Sequence, residues 1–524
     1  MKDVLSGNDA IARGFFEANG WVATGYPGTP SSEIVEGIGF NFPEVDSEWS
    51  VNEKVALEVA MGAAFAGVRS LCTMKHVGLN VAADPLLTVA YTGVNAGLVI
   101  VVADDPGMHS SQNEQDTRNY SQFAKIPLLD PSDSQEALDF TKAAFSVSEE
   151  FDVPVLLRPV TRVSHTRCIV ELSEPVRSQP QYRFAKNPGK YVMMPAYAQK
   201  RHPVVLDRWE KLREYSERFP GNIEEMRGTE AGVITHGLTC QYVRDALPDA
   251  SVLKIGMYPL PRNKIRAFAA KVKKLYVIEE LDPIIENEVR AMGIPVIGKE
   301  IFPEYGELFS DVIRKSLGMP VGGGTQDAVI SRPPVLCKGC GHIPVFEVLR
   351  DIGATVLGDI GCYTLGALPP FGAMDTTVCM GASVGNEAGF KKAARLAGKR
   401  LNSVAVIGDS TFFHSGMTNL LDAVYNRTPV TVLILDNRIT AMTGHQANPN
   451  TGLDNRMRPA PRVDIEQVVR GLGVKRVRKV NAYRKDEVRQ AIEEENAADE
   501  PSVIIADEVC VIAEARLRKL TGKA

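Results

Sequence analysis

GDSTFFHSGMTNLLDAVYNRTPVTVLILDN, residues 408–437, is the stretch whose reading decides the fold. The apolar run NSVAVIGDS (402–410) enters it and VTVLILDN (430–437) leaves it, with one amphipathic helical pattern between them. Unbroken apolar runs of this length are typical of parallel strands covered on both faces. A Gly-Asp-small turn after the first strand and Asp-Asn after the second put polar groups at strand carboxyl ends, where open α/β sheets bind ligands. Asp409 and Asn437 offer hard oxygen donors one βαβ unit apart, suited to magnesium holding a diphosphate. The small residues Gly408 and Ser410 would let such a group approach the backbone. A lone Gly-Asp-Ser would be an ordinary strand-end turn; the pair at this spacing is more specific.

Working outward, the same alternation covers most of the chain. WVATG (21–25) reads as a strand running into the turn YPGTP (26–30), with a helix starting near Ser31 and Ser32 close to its N-cap. VNEKVALEVAMGAAFAG (51–67) has helical spacing, and GLVIVVAD (97–104) and VPVLLRPV (153–160) read as strands. AGVITHG (231–237), SVLKIGMYPLP (251–261) and KKLYVIEE (273–280) form a second set, and TVLGDIG (355–361) and SVIIADE (502–508) complete a third. The pattern predicts an α/β chain of three doubly wound parallel-sheet domains. The expected limits are 1–185, 186–325 (a connector followed by an α/β domain) and 326–524. Within the connector, DRWEKLREYSERF is expected to be a charged, mostly solvent-facing helix.

A chain of 524 residues is too long for one core. The net charge of −5 argues against general nucleic-acid binding, which wants a basic face. No apolar run approaches the ~20 residues of a membrane span, and the N-terminal stretch lacks a signal-peptide core, so a cytoplasmic protein is expected.

The eight cysteines are too sparse for a disulfide scaffold. CKGCGH (337–342) holds the one pair with ligand spacing. Flanked by Arg-Pro-Pro and Gly-His-Ile-Pro, it reads as a loop. Spacing alone leaves an iron–sulfur cluster, a structural zinc and plain buried thiols all open.

The stretch 408–437 resembles the magnesium–diphosphate motif of thiamine-diphosphate enzymes. Its continuation ITAMTGHQ (439–446) is similar to the 2-oxoacid:ferredoxin oxidoreductase superfamily. YPGTPSSE (26–33), VNEKVALE (51–58), TMKHVGLNVAADP (73–85), DDPGMHSSQNEQDTR (104–118) and GDIGCYTLGALPP (358–370) resemble its indolepyruvate branch, large subunit. The resemblance runs in order along essentially the whole chain.

It implies a pyrimidine-binding first domain, a second domain like the C-terminal domain of transketolase, and a diphosphate-binding third. Glu53 would meet the aminopyrimidine of the cofactor, and Thr29 the substrate. Lys75 and His76 would lie in the same cleft as donors to a 2-oxoacid carboxylate. Magnesium would be held by Asp409, Asn437 and Ile439, with Gly408, Ser410 and Thr443 also on the cofactor. A 4Fe–4S cluster would take Cys337, Cys340, Cys362 and Cys510. Cys379 would be core, and Cys72, Cys168 and Cys240 buried thiols; His109 and His414 are left without a role.

The implied reaction is oxidative decarboxylation of an aryl 2-oxoacid with coenzyme A. The coenzyme A domain would come from a smaller partner subunit. Because ARLRKLTGKA (515–524) brings no further cysteines, electrons would leave through ferredoxin or a separate electron-transfer subunit. A non-oxidative decarboxylase, or an assembly subunit that has lost the chemistry, are the other classes compatible with the fold.

Overall fold

The computed structural model describes residues 1–175, 177–321 and 334–515; most of the C-terminal stretch 515–524 lies outside them. The chain divides into two compact units, 1–325 and 326–524.

The first unit opens with β1 (Lys2–Ser6), β2 (Val22–Gly25), β3 (Asp46–Trp49), β4 (Ser70–Lys75), β5 (Leu98–Ala103), β6 (Leu128–Leu129), β7 (Val155–Leu157) and β8 (Arg167–Glu171). It continues with β9 (Ile223–Glu225), β10 (Ala231–His236), β11 (Ser251–Ile255), β12 (Met257–Tyr258) and β13 (Lys274–Val277). A seven-stranded sheet has the order β12-β6-β7-β5-β4-β2-β3 and is parallel except for β12. Every residue of β5 is fully buried, as its unbroken aliphatic sequence requires when helices cover both faces. A four-stranded sheet has the order β13-β10-β11-β9, with β9 antiparallel at its edge. β1 and β8 form a small antiparallel pair.

The two larger sheets share more than a linker. β12 follows β11 after one residue, yet it pairs with β6 at the edge of the seven-stranded sheet. A buried charge network also joins them. Arg118, fully buried, donates to Asp116 at 2.6 Å, to Glu279 at 2.7 Å, and to the Glu280 and Asp282 carbonyls. Arg158 donates to Asp104 at 2.6 Å and to Asp130 at 3.2 Å, and Asp130 also contacts His236 at 2.7 Å. Burial, reinforced by the Arg118 charge, pushes His236 down to about 4, so the ring is neutral.

The connector helix, Pro195–Ser216, is exposed over most of its surface but buries one stripe. Val205, Arg208, Trp209, Leu212 and Ser216 are buried along one stripe at helical spacing. Arg208 spends its charge inward, donating to the Ala90 carbonyl at 2.8 Å and to Asp152 at 3.2 Å.

The second unit contains β14 (Thr355–Gly358), β15 (Thr376–Thr377), β16 (Ser403–Gly408), β17 (Thr431–Asp436), β18 (Arg476–Asn481) and β19 (Ser502–Asp507). They form one wholly parallel sheet in the order β15-β14-β16-β17-β19-β18. Strand side chains alternate between faces. Val404, Val406, Leu433, Leu435 and Ile504 accordingly enter one core, while Ala405, Ile407, Val432, Ile434 and Val503 enter the opposite one. That two-sided burial explains why β16, β17 and β19 read as continuous apolar runs. The helical stretch after β16 is broken by a π-type turn at Phe412–Gly416, a feature that often marks functional sites.

Candidate active site

In the second unit, four neighbouring strands deliver the chemistry at their carboxyl ends. Cys362 follows β14, Asp409 follows β16, Asn437 follows β17, and Glu508 and Cys510 follow β19. Adjacent strand ends are held together by the backbone: Glu508 N–H donates to the Asp436 carbonyl at 3.0 Å and Cys510 N–H to Asn437 at 3.2 Å.

Asp409 is 2% exposed and accepts from the Asn448 amide at 3.1 Å and from the Ser410 and Arg438 N–H groups. Burial, with Asp436 as a second carboxylate nearby, pushes it up to about 8. A buried acid crowded by another acid is a place that a cation would relieve. Asn437 Oδ1 faces back to the Ile439 N–H at 3.1 Å, and Ile439 is itself buried. Gly408 is required by close approach: a Cβ there would stand 2.8 Å from the Tyr363 ring. Ser410 accepts from Thr440 at 2.8 Å, and Thr443 donates to Gln446 at 2.6 Å. The oxygen-rich donor set fits magnesium. Asp409, Asn437 and the Ile439 carbonyl would hold it.

The turn Cys337–Gly341 leads directly into a helix, His342–Asp351. The cysteine pair lies in a turn, as its flanks suggest, and the helix begins at His342, with Pro344 tolerated in its first turn. Cys340 N–H donates to the Cys337 carbonyl at 3.0 Å, and Tyr483 OH donates to the Gly339 carbonyl at 3.2 Å. Burial raises Cys340 to about 12, with Glu508, Cys362 and Cys337 adding to it. Burial likewise raises Cys362 to about 11, helped by Cys510 and Cys337. Cys362 thus feels Cys337 and Cys510, and Cys340 feels Cys337 and Cys362; thiols linked in this way, once deprotonated, are the ligand type an iron–sulfur cluster takes. Cys337 is exposed and the other three are half-buried.

Cys379 is exposed rather than core, three residues ahead of the helix Ala382–Leu396. Cys72 and Cys240 are buried, whereas Cys168, on the two-stranded edge pair, is only partly so.

In the first unit, Glu53 opens the helix Glu53–Phe65 behind an Asn52 N-cap and is 6% exposed. Its carboxylate lies over Gly78, where a Cβ would come within 2.5 Å of Oε1. Lys75 ends β4 and His76 begins the next helix, so both stand beside that contact. Lys75 Nζ donates to the Ser110 carbonyl at 2.5 Å, and Ser110 Oγ donates to the Thr29 carbonyl at 3.3 Å. Burial pulls Lys75 down to about 8, with Asp105 opposing. His76 is buried, pairs with the Asn113 carbonyl at 3.3 Å, and is held below its usual pKa by burial. Thr29, Glu53, Lys75 and His76 therefore converge on the carboxyl edge of β2 and β4.

His109 lies elsewhere on the loop, against Glu307 at 2.8 Å. His414 is buried within the π-type turn. Ser110, Asn448, His342 and Glu508 were not singled out by sequence. The last two flank the cysteine motifs, which was the available signal.

Comparison with known proteins decides the family. The chain is 42% identical to indolepyruvate oxidoreductase subunit IorA of Archaeoglobus fulgidus, covering 100% of this chain and 88% of that one. It is 41% identical to the subunit of that name from Methanothermobacter thermautotrophicus, over 98% of this chain and 88% of the relative. The chain belongs to the indolepyruvate oxidoreductase subunit IorA family. Residues 13–227 match the thiamine-diphosphate-binding domain of pyruvate flavodoxin/ferredoxin oxidoreductases, and 359–506 the C-terminal domain of thiamine pyrophosphate enzymes. Among solved structures, 2-oxoglutarate:ferredoxin oxidoreductase from Magnetococcus marinus shares the fold, with a TM-score of 0.50 at 16% identity over 60% of this chain and 65% of that one. As a member of the IorA family, the chain is a thiamine-diphosphate-dependent 2-oxoacid oxidoreductase subunit. No helix among its described residues is long and apolar enough to cross a membrane.

Proposed function

We propose that the chain catalyses oxidative decarboxylation of an aryl 2-oxoacid, of the indolepyruvate or phenylpyruvate type, to an arylacetyl-CoA. The balance is one 2-oxoacid anion and one coenzyme A thiol giving the thioester, carbon dioxide, one proton and two electrons. Thiamine diphosphate supplies the electron sink that lets the carboxylate leave as carbon dioxide. Glu53 holds and moves the proton at the cofactor's aminopyrimidine. Lys75 anchors the substrate carboxylate, with His76 and Thr29 as neighbouring donors. Asp409, Asn437 and the Ile439 carbonyl hold magnesium, while Gly408, Ser410 and Thr443 border the diphosphate. Cys337, Cys340, Cys362 and Cys510 would hold a 4Fe–4S cluster, which would supply one-electron redox chemistry there.

The observation that supports the oxidative reading best is that Cys362 and Cys510 follow β14 and β19 on the same sheet edge as the Asp409–Asn437 pair, with Cys337 and Cys340 close enough to Cys362 to act on it. A non-oxidative decarboxylase has no use for them. The exposure of Cys337 favours onward transfer to ferredoxin or a separate electron-transfer subunit. A smaller subunit would bring coenzyme A, and the complex would work in the cytoplasm. The aryl substrate rests on the names of the relatives.

The test is anaerobic reconstitution with the coenzyme A-binding subunit. Four irons per chain, and arylpyruvate-dependent dye reduction that requires coenzyme A, are expected. Changing any one of the four cysteines to Ser should lower the iron content, whereas Cys379→Ser should not. Carbon dioxide release with no electrons reaching the dye would establish the non-oxidative class instead.

A further inference from the structure

His342 and Glu508 do nothing in the reading above, yet both are buried, at 1% and 4% exposure. They meet Cys340: one ligand atom each from Cys340, His342 and Glu508 all lie within 4.8 Å of one another. His342 Nδ1 touches the Glu508 carboxylate. The contact is an ion pair and not an aligned hydrogen bond, and among the described residues Glu508 Oε2 has no hydrogen-bond partner. Buried polar groups almost always find partners, so an unpartnered carboxylate oxygen beside an imidazole and a thiol calls for a missing one. A glycine precedes His342 because a Cβ at 341 would run into Glu508 Oε2, so the backbone itself is shaped around the carboxylate.

A simple buried ion pair would explain the contact between the two side chains. It would leave Oε2 unexplained. One small cation held by the three side chains gives that oxygen a partner. Thiolate, imidazole and carboxylate are the three ligand types zinc takes, at bond lengths of about 2.0–2.3 Å. Tetrahedral geometry at those lengths puts ligand atoms roughly 3.3–3.7 Å apart, so the touching imidazole and carboxylate would move apart to admit the ion while the thiol stays within reach.

We propose that Cys340, His342 and Glu508 form a mononuclear zinc-type site, with water as fourth ligand. It shares Cys340 with the cluster, so the two are mutually exclusive. The site belongs to the chain before cluster insertion or after its loss, when it closes the strand ends around a redox-inert ion. The exclusivity rests on the cluster assignment of Cys340; the site itself does not.

The full-length chain, stripped of iron anaerobically, is titrated with Zn²⁺ against a chromophoric chelator, and with Co²⁺ read by its visible and thiolate charge-transfer bands. One ion per chain, with a mixed sulfur–nitrogen–oxygen signature, is expected. His342→Ala and Glu508→Gln should each weaken binding by more than the ~10–100-fold that loss of an outer partner costs. Cys362→Ser should bind Co²⁺ with the same spectrum. Both His342→Ala and Glu508→Gln should still take up a full complement of iron on reconstitution. If His342→Ala does not fold, Glu508→Gln carries the test alone, since the amide keeps the shape and removes the anionic donor. No bound ion, a four-thiolate spectrum, or affinity unchanged in Glu508→Gln would each overturn the site. The iron count tests the cluster separately.

Discussion

Gly78 and Glu53 show how one residue can be read only through another. Glutamate at the start of a helix needs no special explanation from sequence, because acids favour helix N-termini. Its neighbour is less ordinary: Gly78 sits in the short helix His76–Val81, with its missing side chain replaced by the Glu53 carboxylate. Gly78→Ala should fold, since the backbone there is helical and the clash is with the far end of a side chain. It should nevertheless turn Glu53 away and lower kcat by about 10–100-fold, toward but short of the Glu53→Gln loss. Glu53→Gln removes a positioned proton-transfer partner, a loss worth ~10²–10⁴ in rate. Proton–deuterium exchange at C2 of bound thiamine diphosphate reads both variants. Exchange as fast as wild type in Glu53→Gln would take the role away from this residue. Glu53, Asp409 and the cysteines stand out as candidates because a motif surrounds each. Gly78, Asn448 and Glu508 do not, since their meaning lies in contacts across separate elements.

At the scale of elements, the strands that announced themselves were those buried on both faces. β5 is aliphatic throughout, and β16, β17 and β19 through their centres, because helices cover both of their sides. β3 (DSEW) and β18 (RVRKVN) went unread because they are edge strands with one exposed flank. β18 carries Arg476 and Arg478, which pair with Glu495 and Glu494 on the following helix Lys485–Asn496. The buried stripe of the connector helix Pro195–Ser216 is hidden in the sequence for a related reason. It includes Arg208 and Ser216, which hide the apolar period. Leu212 is fully buried there, so Leu212→Ala should cost about 2–5 kcal/mol by emptying a packed site. Lys211→Ala, one residue away on the exposed face, should stay within about 0.5 kcal/mol. Urea melts of the two variants check this. Equal midpoints would show that the helix packs no such stripe.

For the whole molecule, the density of buried charge in the first unit is the main determinant of its pH response. Glu280 is 2% exposed and accepts the Leu308 N–H at 2.9 Å. Burial raises it to about 7, with that hydrogen bond pulling the other way. The unfolded value is near 4.3. A raised carboxyl favours the folded state most fully below the unfolded pKa, and the contribution is lost as pH rises through about 7. Glu280→Gln keeps the acceptor and cannot ionise. It should therefore match wild type near pH 4.5 and exceed it by up to about 3 kcal/mol at pH 8. Chemical denaturation across that range measures the difference, and a pH-independent offset would show that Glu280 is not the titrating group.

The excursion of β12 into the neighbouring sheet reaches beyond static architecture. The stretch 181–187 is exposed and outside regular structure, and Lys186 within it is open to trypsin. A cut there severs the covalent route from the first seven-stranded sheet to everything that follows. Met257 and Tyr258, however, stay laced into the sheet edge through β6, and Arg118 stays clasped by Glu279. The nicked protein should therefore run as one particle on native gel filtration and fall into two bands only in detergent. Its fragments should also complement each other when expressed as separate genes.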